Sequence, residues 1–254
     1  MGVLWNRMMH AVKSSDVVLE VVDARAPLST RSEKLEKLVE KMGKELVVII
    51  NKIDISDEKL VGEAHKEIMK TKPCIFISAR QKQGISHIKK MINMHAPKNK
   101  GNIKVSVAGY PNTGKSSVIN YLSGRHAAGV APVPGHTRGE QWIRVNSQIM
   151  LLDTPGVVPF GENIDITQGF GRPEKMKHIE DSTDEFIKTV AAAKYNNIKE
   201  LYKLTDEDLA REDIISVIAK KRGLVIKGGK PDLKRAAQTI ILDWNTGKIR
   251  AFVD

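Results

Sequence analysis

Residues 103–116 read IKVSVAGYPNTGKS, from Ile103 to Ser116. The first six are rich in β-branched residues and predict a strand, and the remainder fits G-x-x-x-x-G-K-[ST] ahead of a helical stretch, with Gly109, Gly114, Lys115 and Ser116 at the fixed positions. Two glycines let backbone N–H groups wrap a chain of phosphates, and the N-terminus of the following helix adds the positive end of its dipole. Lys115 then neutralises β- and γ-phosphate oxygens, Ser116 supplies a hydroxyl to Mg²⁺, and Thr113 and Ser117 complete the loop's contacts. The stretch predicts a nucleoside triphosphate site at a strand end, without saying which base it holds.

Downstream, Asp153-Thr154-Pro155-Gly156 follows the apolar run Ile149 to Leu152. Asp153 therefore falls at a strand end, where a carboxylate holds a metal through water, and the Gly156 amide can sense a γ-phosphate. Upstream, Asn51-Lys52-Ile53-Asp54 ends the apolar run Leu46 to Ile50. A carboxylate at Asp54 accepts both the N1–H and the exocyclic amine of guanine, a donor pair that adenine lacks, so selectivity follows from unmatched polar groups. Ser78-Ala79-Arg80, which ends the run Cys74 to Ile77, offers a backbone amide to the guanine carbonyl.

Short apolar runs alternate with amphipathic ones over residues 16–95, the pattern of a mostly parallel sheet with helices on both faces. Strands are predicted at 17–22, 46–50, 74–77 and 103–108, helices at 33–42, 57–69 and 85–94, and a strand pair at 143–145 and 149–152. Residues 95–102, HAPKNKGN, form a connector without apolar periodicity. From Asp181 helix signals take over. Ser182 and Glu185 stand at capping-box spacing, Thr205 opens an acidic first turn, and Gly228 to Asp232 caps the face made by Leu233, Ala236, Ala237, Ile240, Ile241 and Trp244. The expected organisation is an α/β domain over 1–180 followed by a small all-α domain over 181–254.

Together these motifs resemble the set of a Ras-type GTPase in rotated order, because NKID (51–54) and SAR (78–80) precede the phosphate loop. That rotation is similar to the YlqF/YawG-type circularly permuted GTPases, whose members act in assembly of the large ribosomal subunit. The motifs cover residues 16–160. The connector, up to about 26 Å long at about 3.3 Å per residue, can join the ordinary termini of the fold if they lie close together. Asp23-Ala24-Arg25-Ala26-Pro27 is similar to the DARxP signature of the family, and KKRGLVIKGGKPDL (220–233) and DWNTGKI (243–249) resemble its C-terminal region.

The resemblance implies further roles. Pro134-Gly135-His136-Thr137 resembles the switch segment, in which Thr137 ligates Mg²⁺ only when the γ-phosphate is present. Val157 stands where Ras-type enzymes carry a water-orienting glutamine, so slow intrinsic hydrolysis is expected. Asn112 fits the phosphate-loop asparagine that some GTPases use to hold K⁺, a charge in place of an arginine finger. His10, in the run Trp5 to His10, resembles an N-terminal tryptophan-then-histidine segment that aids catalysis in relatives, although here the intervening Phe-Pro-Gly is absent and the histidine comes one place later.

The 254 residues include 41 Lys plus Arg against 30 Asp plus Glu, a net +11 that points to a polyanionic partner, nucleic acid first and an anionic membrane second, with a basic soluble enzyme as the alternative. Residues 181–219 carry five basic against nine acidic side chains, whereas 220–254 carry nine against three, so the polarity reverses within the C-terminal segment. Aromatics at 5% are too few for a single-strand stacking platform, and phosphate contacts to folded RNA fit better. Cys74 is the single cysteine, which excludes an internal disulfide and predicts core filling. No apolar run approaches the ~20 residues of a membrane helix, and Asn6 is not the Ser or Thr that would make Gly2 a myristoylation site.

The expectation is a cytoplasmic, monomeric GTPase switch with GTP/GDP, Mg²⁺ and K⁺ at its site, bound to rRNA or a precursor of the large ribosomal subunit, with no membrane or DNA partner. The alternatives are a nucleotide-sensing adaptor for a protein partner and a GTPase of another RNA-processing step.

Overall fold

The computed structural model describes residues 3–98, 101–124, 141–153 and 179–254. In chain order the elements are α1 (Val3–Ser14), β1 (Val17–Asp23), α2 (Glu33–Lys41), β2 (Glu45–Asn51), α3 (Glu58–Met69), β3 (Cys74–Ile77), α4 (Ile85–His95), β4 (Ile103–Ala108), α5 (Lys115–Ser123), β5 (Gln141–Arg144) and β6 (Ile149–Asp153). There follow α6 (Ile179–Ala192), β7 (Tyr195–Asn196), α7 (Ile198–Tyr202), α8 (Asp206–Leu209), α9 (Ile214–Lys221), α10 (Leu233–Asn245) and β8 (Ala251–Phe252). The chain splits into two compact units, residues 1–54 with 61–161 and residues 55–60 with 162–254.

The first unit is of α/β type. Its sheet runs β3-β2-β1-β4-β6-β5, parallel throughout except for β5, which lies antiparallel to β6. Every residue of β1 is buried, which explains why its sequence is a nearly continuous apolar run rather than an alternation. Val17, Leu19, Val21, Val47 and Ile49 pack with Val105, Val118, Ile88 and Ile92 in one apolar cluster. In register, Asp23 stands beside Asn51 and Asn51 beside Ile77. The parallel strands β1, β2, β3 and β4 thus release their following loops along one edge, the C-terminal edge where ligands bind in such sheets.

Cys74 is buried, and burial pushes its thiol up to about 12, so it remains a neutral core side chain. Glu20, in mid-strand on β1, is fully buried. Its Oε1 accepts from the Ser32 amide at 2.7 Å, and Oε2 has no hydrogen-bond partner among the described residues. Burial, with Glu36 adding repulsion, pushes this carboxyl up to about 8, so the folded chain holds a proton there at neutral pH that the unfolded chain has released. Stability therefore falls as pH rises from about 5 to about 8. Glu20→Gln is expected to flatten that slope and to stabilise the fold at pH 7 by about 2–3 kcal/mol, read from urea unfolding at pH 5.5, 7 and 8.5. A variant whose stability tracks the parent at all three values would show that Glu20 is ionised in the fold.

The second unit is helical around Phe186, Ile187, Tyr202, Ile218, Ile240 and Trp244, with the Phe186 and Trp244 rings edge to face at 5.1 Å. Thr205 caps α8 in a reciprocal box with Asp208, and the Asp232 carboxylate accepts the Arg235 amide at the start of α10. Capping-box spacing predicts a helix start at Ser182. Instead α6 already runs from Ile179, because that residue is buried with Phe186 and Ile187, and Thr183 inside the helix donates to the Ile179 carbonyl. The unit also holds one antiparallel strand pair, β7 with β8, beyond the all-α expectation. No helix among the described residues is long and apolar enough to cross a membrane.

Candidate nucleotide site

The loop between β4 and α5 is shaped by two glycines whose positions leave no room for a Cβ unless a neighbour shifts. Gly109 has φ +137°, and a Cβ there would lie 2.2 Å from the Val21 carbonyl oxygen of the neighbouring strand. Gly114, at φ +99°, would drive a Cβ to 2.2 Å from Asn51 Nδ2. Between them Asn112 adopts φ +62° at the exposed turn of the loop. The Tyr110 carbonyl accepts from both Thr113 Oγ1 at 2.9 Å and Lys115 Nζ at 2.5 Å. Ser116 and Ser117 are exposed in the first turn of α5.

Lys115 is an unusual cation. It is buried, its ammonium donates to a neutral carbonyl, and burial together with the positive charge of Lys52 lowers its pKa to about 8. Such a group is stabilised by an arriving anion, which restores its ordinary pKa. The loop is thus built to receive negative charge.

Two further loops meet this one through Asn51. Its Nδ2 donates to the Thr113 carbonyl at 2.9 Å, and its Oδ1 accepts the Ala79 amide at 3.1 Å. Both polar groups of Asn51 are therefore engaged within the protein, and the residue acts as a tie between phosphate loop and SAR loop. Asp54 sits in a single 3₁₀ turn at Ile53–Ile55. Its Oδ1 accepts the Ser78 hydroxyl at 2.6 Å, and Ser78 Oγ in turn accepts the Gln81 amide at 3.0 Å. The other carboxylate oxygen makes no hydrogen bond among the described residues. The side chain is oriented but retains acceptor capacity.

Asp23 closes the arrangement. It is fully buried at the end of β1, where Oδ1 accepts from Arg25 Nε at 2.9 Å and Oδ2 from Arg25 Nη2 and Lys52 Nζ, each at 2.7 Å. Burial alone raises such a carboxyl, but the two cations overcome it and hold Asp23 well below the usual carboxylate range. Sequence reasoning gives Asp23 a place in a signature but no role at the site. The signal available is positional, since Asp23 and Asn51 both end apolar runs of a parallel sheet and so fall side by side.

The structure thus brings together Asn51, Lys52, Asp54, Ser78, Ala79, Arg80 and the loop from Asn112 to Ser117. Asp153 is the last residue of β6, one position beyond Leu152, which pairs with Ser106 of β4. His10 lies exposed on α1. Thr137 and Gly156, with the segment that carries Val157, lie outside the described residues.

Comparison with known proteins gives matches over both halves of the chain. A family described as "50S ribosome-binding GTPase" matches residues 104–221, and the elongation factor Tu GTP binding domain matches residues 5–98. An uncharacterised GTP-binding protein of Methanocaldococcus jannaschii is 35% identical over 243 residues, 95% of this chain and 64% of that protein. Nucleolar GTP-binding protein 2 of Eremothecium gossypii is 34% identical over 98% of this chain and 51% of its own length. The chain therefore spans between half and two thirds of these relatives. The crystal structure of GNP-bound YlqF from T. maritima superposes with a TM-score of 0.71 at 23% identity, over 98% of this chain and 96% of that one, a likeness of fold.

Proposed function

The chain belongs to the YlqF/YawG-type family of circularly permuted GTPases, and on that basis we propose that it is a GTP-hydrolysing switch acting on a precursor of the large ribosomal subunit through rRNA. The observation that carries the nucleotide part is the Asn51 tie, which joins the phosphate loop at Thr113 to the SAR loop at Ala79 although the SAR loop comes first in the chain. Asp54, with one oxygen held by Ser78, reads the guanine edge, and the SAR loop from Ser78 to Arg80 supports it. Lys115 meets the β- and γ-phosphates. The exposed Ser116 hydroxyl and the Asp153 carboxylate are hard oxygen donors that suit Mg²⁺, which would neutralise phosphate charge when bound. The Asn112 side-chain oxygen, at the exposed turn, suits K⁺. Thr137 and Gly156 are assigned from their motifs as the γ-phosphate sensors.

The ribosomal part rests on charge and on what the relatives are. In the helical unit Lys221 pairs with Asp208, and Arg222 and Lys248 with buried Asp243, whereas Lys227, Lys230, Lys234 and Arg235 are exposed and enter no ion pair among the described residues. These four, with the exposed Lys220 and Arg250, are side chains available to phosphates of a folded RNA, and residues 181–254 are the module that carries them.

Sedimentation with purified ribosomal subunits tests this reading. The form bound to a GTP analogue is expected to travel with large-subunit particles, the GDP form to stay in the supernatant, and raising the salt to weaken the association steeply. Absence of co-sedimentation in either form, with no effect of particles on hydrolysis, sinks the ribosomal assignment. Turnover that stays negligible with K⁺, RNA and particles all present would identify an adaptor instead.

A further inference from the structure

Lys52 does not take the course a solvent-exposed lysine would. It adopts φ +72°, a left-handed conformation that a residue with a Cβ enters only under constraint, and its side chain runs back toward β1. On the way Cε passes 4.0 Å from the position a Cβ on Gly114 would occupy, so the stem lies across the phosphate loop. It ends on Asp23 Oδ2 at 2.7 Å, an oxygen that already accepts Arg25 Nη2 at the same distance. A bidentate arginine satisfies a buried carboxylate by itself. A second cation on that carboxylate, drawn from a strained turn, calls for a reason beyond stability.

We propose that Asp23 is a positioning residue for nucleotide binding: fixed by Arg25, it anchors the Lys52 ammonium so that the lysine stem lies across Gly114 of the phosphate loop, and so sets the affinity for GDP and GTP alike. The inference rests on the reading of this site as a guanine-nucleotide site. Arg25 is the clamp behind the clamp. It locks both carboxylate oxygens, so that Asp23 cannot rotate to follow Lys52, and Lys52 must come to it.

The charged groups around the Lys52 ammonium are Asp23 and Arg25 from β1 and its exit, Asp54 from its own turn, and Lys115 from α5. Burial and Arg25 oppose its charge, while Asp23 and Asp54 favour it. Replacing Asp23 by Asn removes the nearest support and lets Lys52 lose its proton at a lower pH. The contribution of Lys115 is common to parent and variant and cancels in their ratio.

The test is titration of fluorescent GDP and a GTP analogue into the full chain at pH 6, 7 and 8.5, for the parent, Asp23→Asn, Lys52→Met and the double variant. Asp23→Asn is expected to weaken both nucleotides by the same factor, roughly 10- to 50-fold, with the ratio to the parent growing as pH rises. In the Lys52→Met background the same substitution is expected to have no further effect on affinity. An equal loss in both backgrounds, a ratio independent of pH, or parent-like affinity overturns the inference. If Asp23→Asn does not fold, Asp23→Asn with Arg25→Gln removes the buried pair together and serves in its place, with the same expected loss. A parent protein that binds neither nucleotide overturns the reading of the site itself.

Discussion

Asp54→Asn is expected to lower affinity for guanine nucleotides by roughly 10²- to 10³-fold while leaving the fold intact. The Asp54 carboxylate is held at 2.6 Å by the Ser78 hydroxyl and keeps its other oxygen available. A carboxylate that accepts two N–H groups of guanine makes charge-assisted hydrogen bonds of about 1.5–3 kcal/mol each, and about 1.4 kcal/mol is tenfold in affinity. An amide in its place keeps one acceptor and sets an N–H against the exocyclic amine, which adds a donor-to-donor conflict to the loss. Xanthine carries a carbonyl at the position of that amine, so the variant is expected to gain xanthine nucleotides relative to guanine ones. Competitive titration with GDP, xanthosine diphosphate and ADP reads the change. Unaltered preference for GDP would show that Asp54 does not read the base.

Gly114→Ala is expected to cost both stability and binding. The left-handed backbone penalises any L side chain by about 1–2 kcal/mol, and the new methyl group would sit 2.2 Å from Asn51 Nδ2. Asn51 must then swing away, releasing the Thr113 carbonyl at 2.9 Å and the Ala79 amide at 3.1 Å, each costing about 1–3 kcal/mol if left unpaired. The sum is about 3–8 kcal/mol, with at least a roughly 100-fold loss of GDP affinity, since phosphate loop and base loop are no longer joined. Gly62, inside α3, has open space within 4 Å of where a methyl group would stand and no unusual φ. Gly62→Ala is therefore the control, expected to stabilise by about 0.5–1 kcal/mol. Urea unfolding and nucleotide titration of both variants distinguish the two cases. A Gly114 variant as stable and as tightly bound as the Gly62 variant would show that the Asn51 tie is dispensable.

Much of the fold is legible in the residues alone. Strands at Val17–Asp23, Glu45–Asn51, Cys74–Ile77 and Ile103–Ala108 lie within a residue of the apolar runs that predict them, because strands covered on both faces need apolar residues at every position. The capping box at Thr205 and the Asp232 cap are legible for a similar reason, since the bonding partners lie three residues apart in sequence. The Ser182 start misleads because a capping signal is only local. Ser182 lies inside α6, which is helical from at least Ile179, a residue buried among apolar partners.

The motif set and its rotated order come from the sequence alone, since phosphate wrapping, metal ligation and guanine selection each depend on residue types at short fixed spacings. Tertiary structure decided how those motifs act on one another. Asp23 and Lys52 are far apart in the chain, and only the parallel register of β1 and β2 sets one at the end of the other's reach. Asn51 and Thr113 meet because β1 also pairs in parallel with β4, which opens the phosphate loop at the same sheet edge. The charge states of Glu20, Asp23 and Lys115 were also beyond the sequence, because burial and neighbouring charges shift a side chain's pKa, and both are properties of the packed sheet edge.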